Sequence, residues 1–229
     1  MSRLAQPRSR YHHGDLRATL LDHVCIIVRE QGVGFVSIRE VARRARVSHG
    51  APAHHFGNKS GLLTAFAVQG YQRLAATIQA RLAETKASAP SEVIEAMGQG
   101  YVRFALENRE HFGIMFPGDL LNRDDPDYVA ATDAVFKPLM QTVQRASADG
   151  SLIADPLLVT TAAWSLVHGL ASLWLSSRIQ ARTGATDAEE LTKATTHLFV
   201  RAMIREGTKD TKTGQPQRAR RTLRAGTKE

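Results

Sequence analysis

Ser37-Ile38-Arg39-Glu40-Val41-Ala42-Arg43-Arg44-Ala45-Arg46-Val47-Ser48-His49-Gly50-Ala51-Pro52-Ala53-His54-His55-Phe56 holds two short amphipathic segments and a tight turn within twenty residues. Ser37 with Glu40 three residues on has the spacing of a capping box, and Val41, Ala42 and Ala45 share one face of the helix that follows. After the turn Arg46-Val47-Ser48, Ser48 is placed to cap a second helix. Two helices joined by so short a turn can seat the second in the major groove of double-stranded DNA while the first braces it. Val41, Ala42, Ala45, Val47 and Phe56 are the small core expected between them, and Pro52 falls in a first helical turn, where its missing N–H does least harm.

Outward from this stretch the pattern is helical throughout, with apolar residues at three- and four-residue spacing. Asp15 is the expected cap of a first helix striped by Leu16, Leu20, Val24, Ile27 and Val28, which stops at Gly32 and Gly34. Further helices are expected from Asn58 to about Ala83, over Ser91 to Glu107, and from Asn108 to Phe116. Asp125-Pro126 and Asp155-Pro156 each read as an N-cap with proline at the first helical position. The first of these helices runs to Gly150 with a kink expected at Pro138. Thr186 with Glu189 is a further capping box, opening a last helix that stops at Gly207. The fold class expected is all-α with about nine helices.

Charge divides the chain in the same places. Residues 1–60 carry net +6, residues 61–207 carry −3 and residues 208–229 carry +5. Basic character confined to one terminal module and one tail suits a polyanion partner. The expected organisation is a basic arm over 1–10, a helix-turn-helix domain over 11–60, a larger helical domain over 61–207 and a basic tail over 208–229 that adds non-specific DNA affinity.

By Tyr11-His12-His13-Gly14-Asp15-Leu16-Arg17, Ser37-Ile38-Arg39-Glu40-Val41-Ala42, Val47-Ser48-His49-Gly50 and His55-Phe56 with Lys59 three residues on, the chain resembles the TetR family of bacterial transcriptional regulators. The resemblance runs from Tyr11 to Leu63. It implies a homodimer with an amino-terminal DNA-binding domain and a helical domain that binds a small molecule and dimerises. Carried over by position, Ser37 and Arg39 approach the DNA backbone, Ser48 to His54 face the groove, and His55 and Lys59 hold phosphates. Two positions depart from the family pattern. Arg46 stands where glycine is usual, and Ala53 replaces the groove-facing tyrosine. With Gly50, Ala51 and Ala53 the recognition helix offers few polar side chains, so base readout is expected from His49 and His54 with thymine-methyl contacts from Ala51 or Ala53. Arg8 and Arg10 are expected to add minor-groove or phosphate contacts.

Pro156 to Ser177 contains no Asp, Glu, Lys or Arg. Thr160, Thr161, Ser165, His168 and Ser172 dilute it, so it reads as a helix buried between its own domain and a partner chain, not as a membrane span. Its segment Ala163-Trp164-Ser165-Leu166-Val167-His168-Gly169-Leu170 resembles the Trp…His-Gly signature of one carboxy-terminal domain type in that family. The dimer interface expected from it and the last helix comprises Trp164, His168, Gly169, Ser172, Leu191, Thr195, Leu198 and Ala202. A pocket for a mainly apolar small molecule is expected among Tyr101, Phe104, Phe112, Met115, Phe116, Trp164 and His168. The family resemblance implies a repressor, released from a palindromic operator by that molecule.

Chemistry is not expected elsewhere. His12, His13, His49, His54 and His55 lack helix-spaced carboxylate or cysteine partners, so no metal is expected. Cys25 reads as a small core residue, and a single cysteine excludes an internal disulfide. The polar, arginine-rich start has no apolar run behind it, so no secretory signal and a cytoplasmic location are expected. No cofactor and no enzymatic activity are expected, because the acidic pairs Asp124/Asp125 and Glu189/Glu190 sit at helix starts and no nucleophile-base pair is visible. The rival readings are a DNA-binding dimer without an effector, and a helical enzyme working in the pocket.

Overall fold

The computed structural model describes residues 16–205. The arm with Arg8 and Arg10, the expected cap Asp15, the stop Gly207 and the basic tail lie outside the described residues.

Ten α-helices follow one another among the described residues: α1 (Leu16–Gln31), α2 (Ile38–Ala45), α3 (Gly50–Phe56), α4 (Lys59–Thr85), α5 (Pro90–Glu107), α6 (Arg109–Met115), α7 (Pro126–Ala148), α8 (Pro156–Leu175), α9 (Arg178–Thr183) and α10 (Ala188–Met203). The expected nine become ten because α9, a short helix between Ser177 and Gly184, has no apolar stripe to announce it. A one-turn 3-10 helix also links α1 to α2.

Most starts follow the sequence signals, with departures at α10 and in the capping box of α2. Asn58 accepts from the Gly61 N–H, Asp125 from Asp127 and Tyr128, and Asp155 from Leu157 and Leu158. At α10 the cap is Asp187, which accepts from Glu189 and Glu190, so the box expected from Thr186 and Glu189 does not form. At α2 the Ser37 hydroxyl accepts from the Glu40 N–H at 3.1 Å, but the Glu40 carboxylate turns to Arg43 and Arg44. Two guanidinium donors attract it more strongly than a neutral N–H. Helix α7 runs unbroken through Pro138.

One continuous core joins the two ends of the fold. Leu20, Val24 and Ile27 of α1, Val41 of α2, Phe56 of α3 and Leu62, Leu63 and Phe66 of α4 are buried in the same cluster as Phe104, Phe112, Met115, Tyr128 and Val167. Helix α4 makes this possible, because it packs on α1 and α3 at its start and on α5, α6 and α7 along its length. A smaller cluster of Ile94, Val143, Ala146, Val159 and Val200 holds α10 against α5, α7 and α8. The chain between α7 and α8 is pinned to the end of α10 by the Leu152–Ile204 bridge.

Helix α8 is buried along one edge only, at Val159, Ala163, Val167 and Ala171, a strict four-residue repeat. Its other side is open, with Leu157 72% and Leu158 65% exposed, and Leu198 of α10 is 71% exposed. It is the one helix among the described residues long and apolar enough to cross a membrane.

Candidate nucleic-acid interface and ligand cavity

Helices α2 and α3 are clamped before they can present anything. Arg44 bonds Glu40 at 2.8 Å and Glu30 of α1 at 2.5 Å, tying α2 to α1, while Arg43 takes Glu40 at 2.7 Å. The two guanidinium groups hold the Glu40 carboxyl at about 2, well below its ordinary range. Pro52 and Phe56 are the buried side of α3, and the Arg17 guanidinium lies 5.4 Å from the Phe56 ring centre. Gly61 lets α4 start against the end of α3, since a β-carbon there would stand 2.1 Å from the Phe56 carbonyl oxygen.

The outward side of α3 is the one expected from the sequence. Ser48, His49, Gly50, His54 and His55 are exposed, and Ala51 and Ala53 are half-buried between them. The His54 and His55 rings meet edge to face at 5.6 Å. Arg39 and Lys59 are exposed on either flank, and Ser37 is half-buried at the α2 start. The expectation that the Ser48 side chain caps α3 is corrected. His49 already has helical angles, with φ −57 and ψ −27, and only the Ser48 carbonyl serves the first turn, accepting from Ala51 at 3.0 Å.

Arg46 is the strained point of the turn. It sits in the left-handed region at φ 55 and ψ 40, where its N–H closes α2 onto the Ala42 and Arg43 carbonyls. Because Arg43 and Arg44 are bound to carboxylates, the cations on this face without a partner among the described residues are Arg39, Arg46 and Lys59. Sequence reading treated Arg46 only as a conformational departure and missed it as a charge. Its place beside the exposed residues of α3 was the available signal.

Behind this module a cavity of about 490 Å³ opens between α4, the end of α6, α7 and α8. Tyr71, Met115, Phe116, Tyr128, Phe136 and Trp164 supply its rings and apolar surface, and Arg123, Thr132, Ser165 and His168 its polar groups. A narrow apolar cavity of about 40 Å³ lies deeper, lined among others by Ile94, Met97, Tyr101 and Val167, and it shares Phe136 and Trp164 with the larger one. Those two rings pack edge to face at 4.9 Å, forming the wall between the cavities.

The structure therefore brings together four of the residues expected at a ligand site, Met115, Phe116, Trp164 and His168. Tyr101 belongs to the layer behind, where its hydroxyl meets His168 Nδ1 at 2.9 Å. Phe112 is also in that layer, 5.3 Å from the His168 ring. Phe104 is fully buried and lines neither cavity, because the inward stripe of α5 carries it into the core. Tyr71, Arg123, Tyr128 and Phe136 were missed. The tyrosines and Phe136 look like core positions in sequence, and Arg123 lies in a polar loop.

Burial pushes the Tyr71 and Tyr101 phenols above their ordinary range and His168 below its own, so all three are neutral near pH 7. Tyr71 donates to the Met115 carbonyl at 3.3 Å, tying α4 to the last turn of α6.

Helix α6 touches both regions. At its carboxy-terminal end Met115 and Phe116 face the cavity. At its start Glu110 accepts from Arg29 of α1 at 2.6 Å. Between them His111 is buried, stacked on Phe66 of α4 at 4.0 Å and bonded through Nε2 to Gln69 at 3.0 Å. Burial lowers the His111 pKa to about 4.

The expected dimer residues are split by this geometry. Trp164 and His168 turn toward the cavity and the rings of Phe136 and Phe116. Leu198 and Ala202 are exposed on α10, and Gly169, Ser172, Leu191 and Thr195 are half-buried. Among the described residues no three of His, Cys, Asp and Glu converge as metal ligands. Cys25 is half-buried beside Arg29.

Comparison with known proteins bears on both regions. Residues 27–66 match the family described as bacterial regulatory proteins, tetR family, and residues 94–225 match the tetracyclin repressor-like C-terminal domain. The second match alone spans more than half of the 229 residues. The chain is 32% identical over 84 residues, 37% of its length, to the HTH-type transcriptional regulator BetI of Serratia proteamaculans. That stretch covers 42% of the relative, so the chain spans less than half the length of the curated relatives it matches. Among solved structures, a Rhodococcus protein of unknown function superposes with a TM-score of 0.73 at 29% identity, covering 86% of this chain and 100% of the other. The fold is also that of the TetR family regulator PfmR from Thermus thermophilus, with a TM-score of 0.61, 22% identity and coverage of 80% and 97%.

Proposed function

This chain belongs to the TetR family of bacterial regulatory proteins, and from that premise we propose that it is a homodimeric transcriptional repressor released from a palindromic operator by a small, mainly apolar molecule. The observation that carries the reading is the shared framework: α4 packs on the exposed α3 and also walls an open cavity of about 490 Å³, and α6, whose end lines that cavity, packs on α1 of the same module.

In this reading α3 enters the major groove. His49 and His54 donate to or accept from base edges, while Ala51 and Ala53 pack on thymine methyl groups. Ser37, Arg39, His55 and Lys59 hold the phosphates on either side, with Ser48 and Gly50 allowing close approach. Arg46 joins them as a third unpartnered cation. The arm residues Arg8 and Arg10 extend the contact along the DNA.

The effector occupies the cavity against Met115, Phe116, Trp164 and His168. By displacing the end of α6 it moves Glu110, and with it Arg29 and α1, so the two α3 helices of a dimer leave their productive separation of roughly 34–36 Å. The dimer forms through the open side of α8 and through α10, where Gly169 and Ser172 allow close approach and Leu191, Thr195, Leu198 and Ala202 supply contact.

The test is to select operator DNA from a random pool with the full chain and then screen small molecules for release by fluorescence anisotropy. A ligand that saturates the protein is expected to weaken operator binding by about 5–150-fold, the usual range of allosteric coupling. Saturation by ligand with unchanged operator affinity would defeat the reading.

A further inference from the structure

The larger cavity carries one formal charge, and none of the described residues answers it. Arg123 is the only Lys, Arg, Asp or Glu among its lining residues. No ion pair or hydrogen bond engages the guanidinium among the described residues. His168 does not oppose it, because burial keeps that imidazole neutral near pH 7.

The loop backbone is anchored on either side of Arg123. On one side the Asn122 N–H donates to Thr64 Oγ1 of α4 at 2.8 Å. On the other, Oδ1 of the Asp125 carboxylate caps α7 by accepting from the Asp127 and Tyr128 N–H groups, and the carboxylate forms no ion pair with Arg123. Gly118 provides the seat, since a β-carbon there would stand 2.8 Å from Arg123 Nη2. The result is an unpaired cation at the edge of a chamber whose rings are Tyr71, Tyr128, Phe136 and Trp164.

Such a chamber discriminates by head group. An apolar body satisfies the rings, and a carboxylate satisfies the guanidinium through two parallel N–H···O bonds. A neutral head leaves the guanidinium as it is. A cationic head is repelled, and a phosphate dianion brings twice the charge that a single arginine can match.

We propose that the effector is an apolar monocarboxylate, with its carboxylate on Arg123 and its hydrocarbon or aryl body against Phe136 and Trp164. This rests on the effector reading above and narrows it to a chemical class.

Isothermal titration calorimetry on the full chain tests the proposal with two matched pairs: decanoate against 1-decanol, and 4-phenylbutyrate against 4-phenylbutanol. In at least one pair the acid is expected to bind about tenfold or more tightly than its alcohol. Arg123→Gln is expected to bring that pair within about threefold, while Arg123→Lys keeps the preference for the acid. Arg123 is exposed, so both variants should fold, and circular dichroism checks this.

Alcohols binding as well as acids, a preference unchanged in Arg123→Gln, or no binding of either acid at millimolar concentration each overturn the proposal. Operator anisotropy in the presence of the bound acid separates the two readings. If the acid binds through Arg123 and the operator affinity does not move, coupling fails while the chemistry of the cavity stands.

Discussion

At Arg46 the backbone occupies a conformation that an L-residue with a β-carbon adopts at a cost of about 1–2 kcal/mol. The position is tolerated because the Arg46 N–H satisfies two carbonyls at the end of α2. Arg46→Gly is expected to stabilise the protein by about 0.5–1 kcal/mol, because relief of the left-handed strain exceeds the added freedom of the unfolded chain. The measurement is the urea midpoint, and an unchanged or lower midpoint would show that the turn carries no strain. The same variant should weaken operator binding and flatten its salt dependence by about one phosphate contact. His111 gives a pH signature of the opposite kind. Its folded pKa of about 4 lies below the ordinary value of 6.5, so the unfolded chain binds more protons between those two pH values. Its contribution is fully present above about pH 6.5 and is lost as pH falls toward 4. Proton NMR should place the His111 titration near pH 4, and His111→Gln, which keeps a partner for Gln69, should flatten the stability profile in that window. Arg46 was legible in the sequence as a departure, because a charged residue replaced a turn glycine. His111 was not, because one histidine in a short amphipathic helix gives no sign of whether its ring faces water or a phenylalanine.

The elements that were easy to read are those whose signals are local. Ser37, Asn58, Asp125 and Asp155 cap the helices that follow them because each side chain needs only an N–H two or three residues away. Short-range competition defeated the reading at Ser48 and Thr186, where His49 and Asp187 take the first helical boundary instead. Helix α9 and the remaining residues of the cavity were beyond reach for a different reason. Tyr71, Arg123 and Phe136 come from three separate segments, and only the packing of α4 on α7 brings them to one wall. Helix α6 is where such packing carries the proposed coupling. The Arg29–Glu110 pair joins it to α1 at the surface, with the arginine side chain 64% exposed, so its share of stability is small. Its value is positional, because it is where motion of Met115 and Phe116 would reach the DNA-binding module. Glu110→Gln is expected to change stability by less than about 1 kcal/mol while reducing the effector-induced loss of operator affinity several-fold. Paired urea and anisotropy titrations decide it, and a variant with unaltered coupling would route the signal through α4 alone.

On the scale of the whole molecule the unbalanced surface is the open side of α8 with the outer side of α10. Leu157, Leu158 and Leu198 are each exposed by 65% or more in the single chain. Leaving three large aliphatic side chains in water on neighbouring helices forgoes about 1.5–3 kcal/mol for each that could be fully buried. A second copy related by a two-fold axis would cover them with the same residues and place its own α3 on the next half-site. The like charge introduced by a paired substitution, Leu158→Glu with Leu198→Glu, should therefore dissociate the dimer without unfolding the protomer, because neither side chain is part of its core. Sedimentation velocity is expected to show a species of half the mass with unchanged helical content. Operator affinity should then fall by about 10²–10⁴-fold, since the second half-site is no longer held at high effective concentration. Weak binding to an isolated half-site should survive, because each α3 and its flanking cations are intact. A dimer that persists in the double variant would move the interface to another face of the molecule, and the apolar side of α8 would then require a different partner.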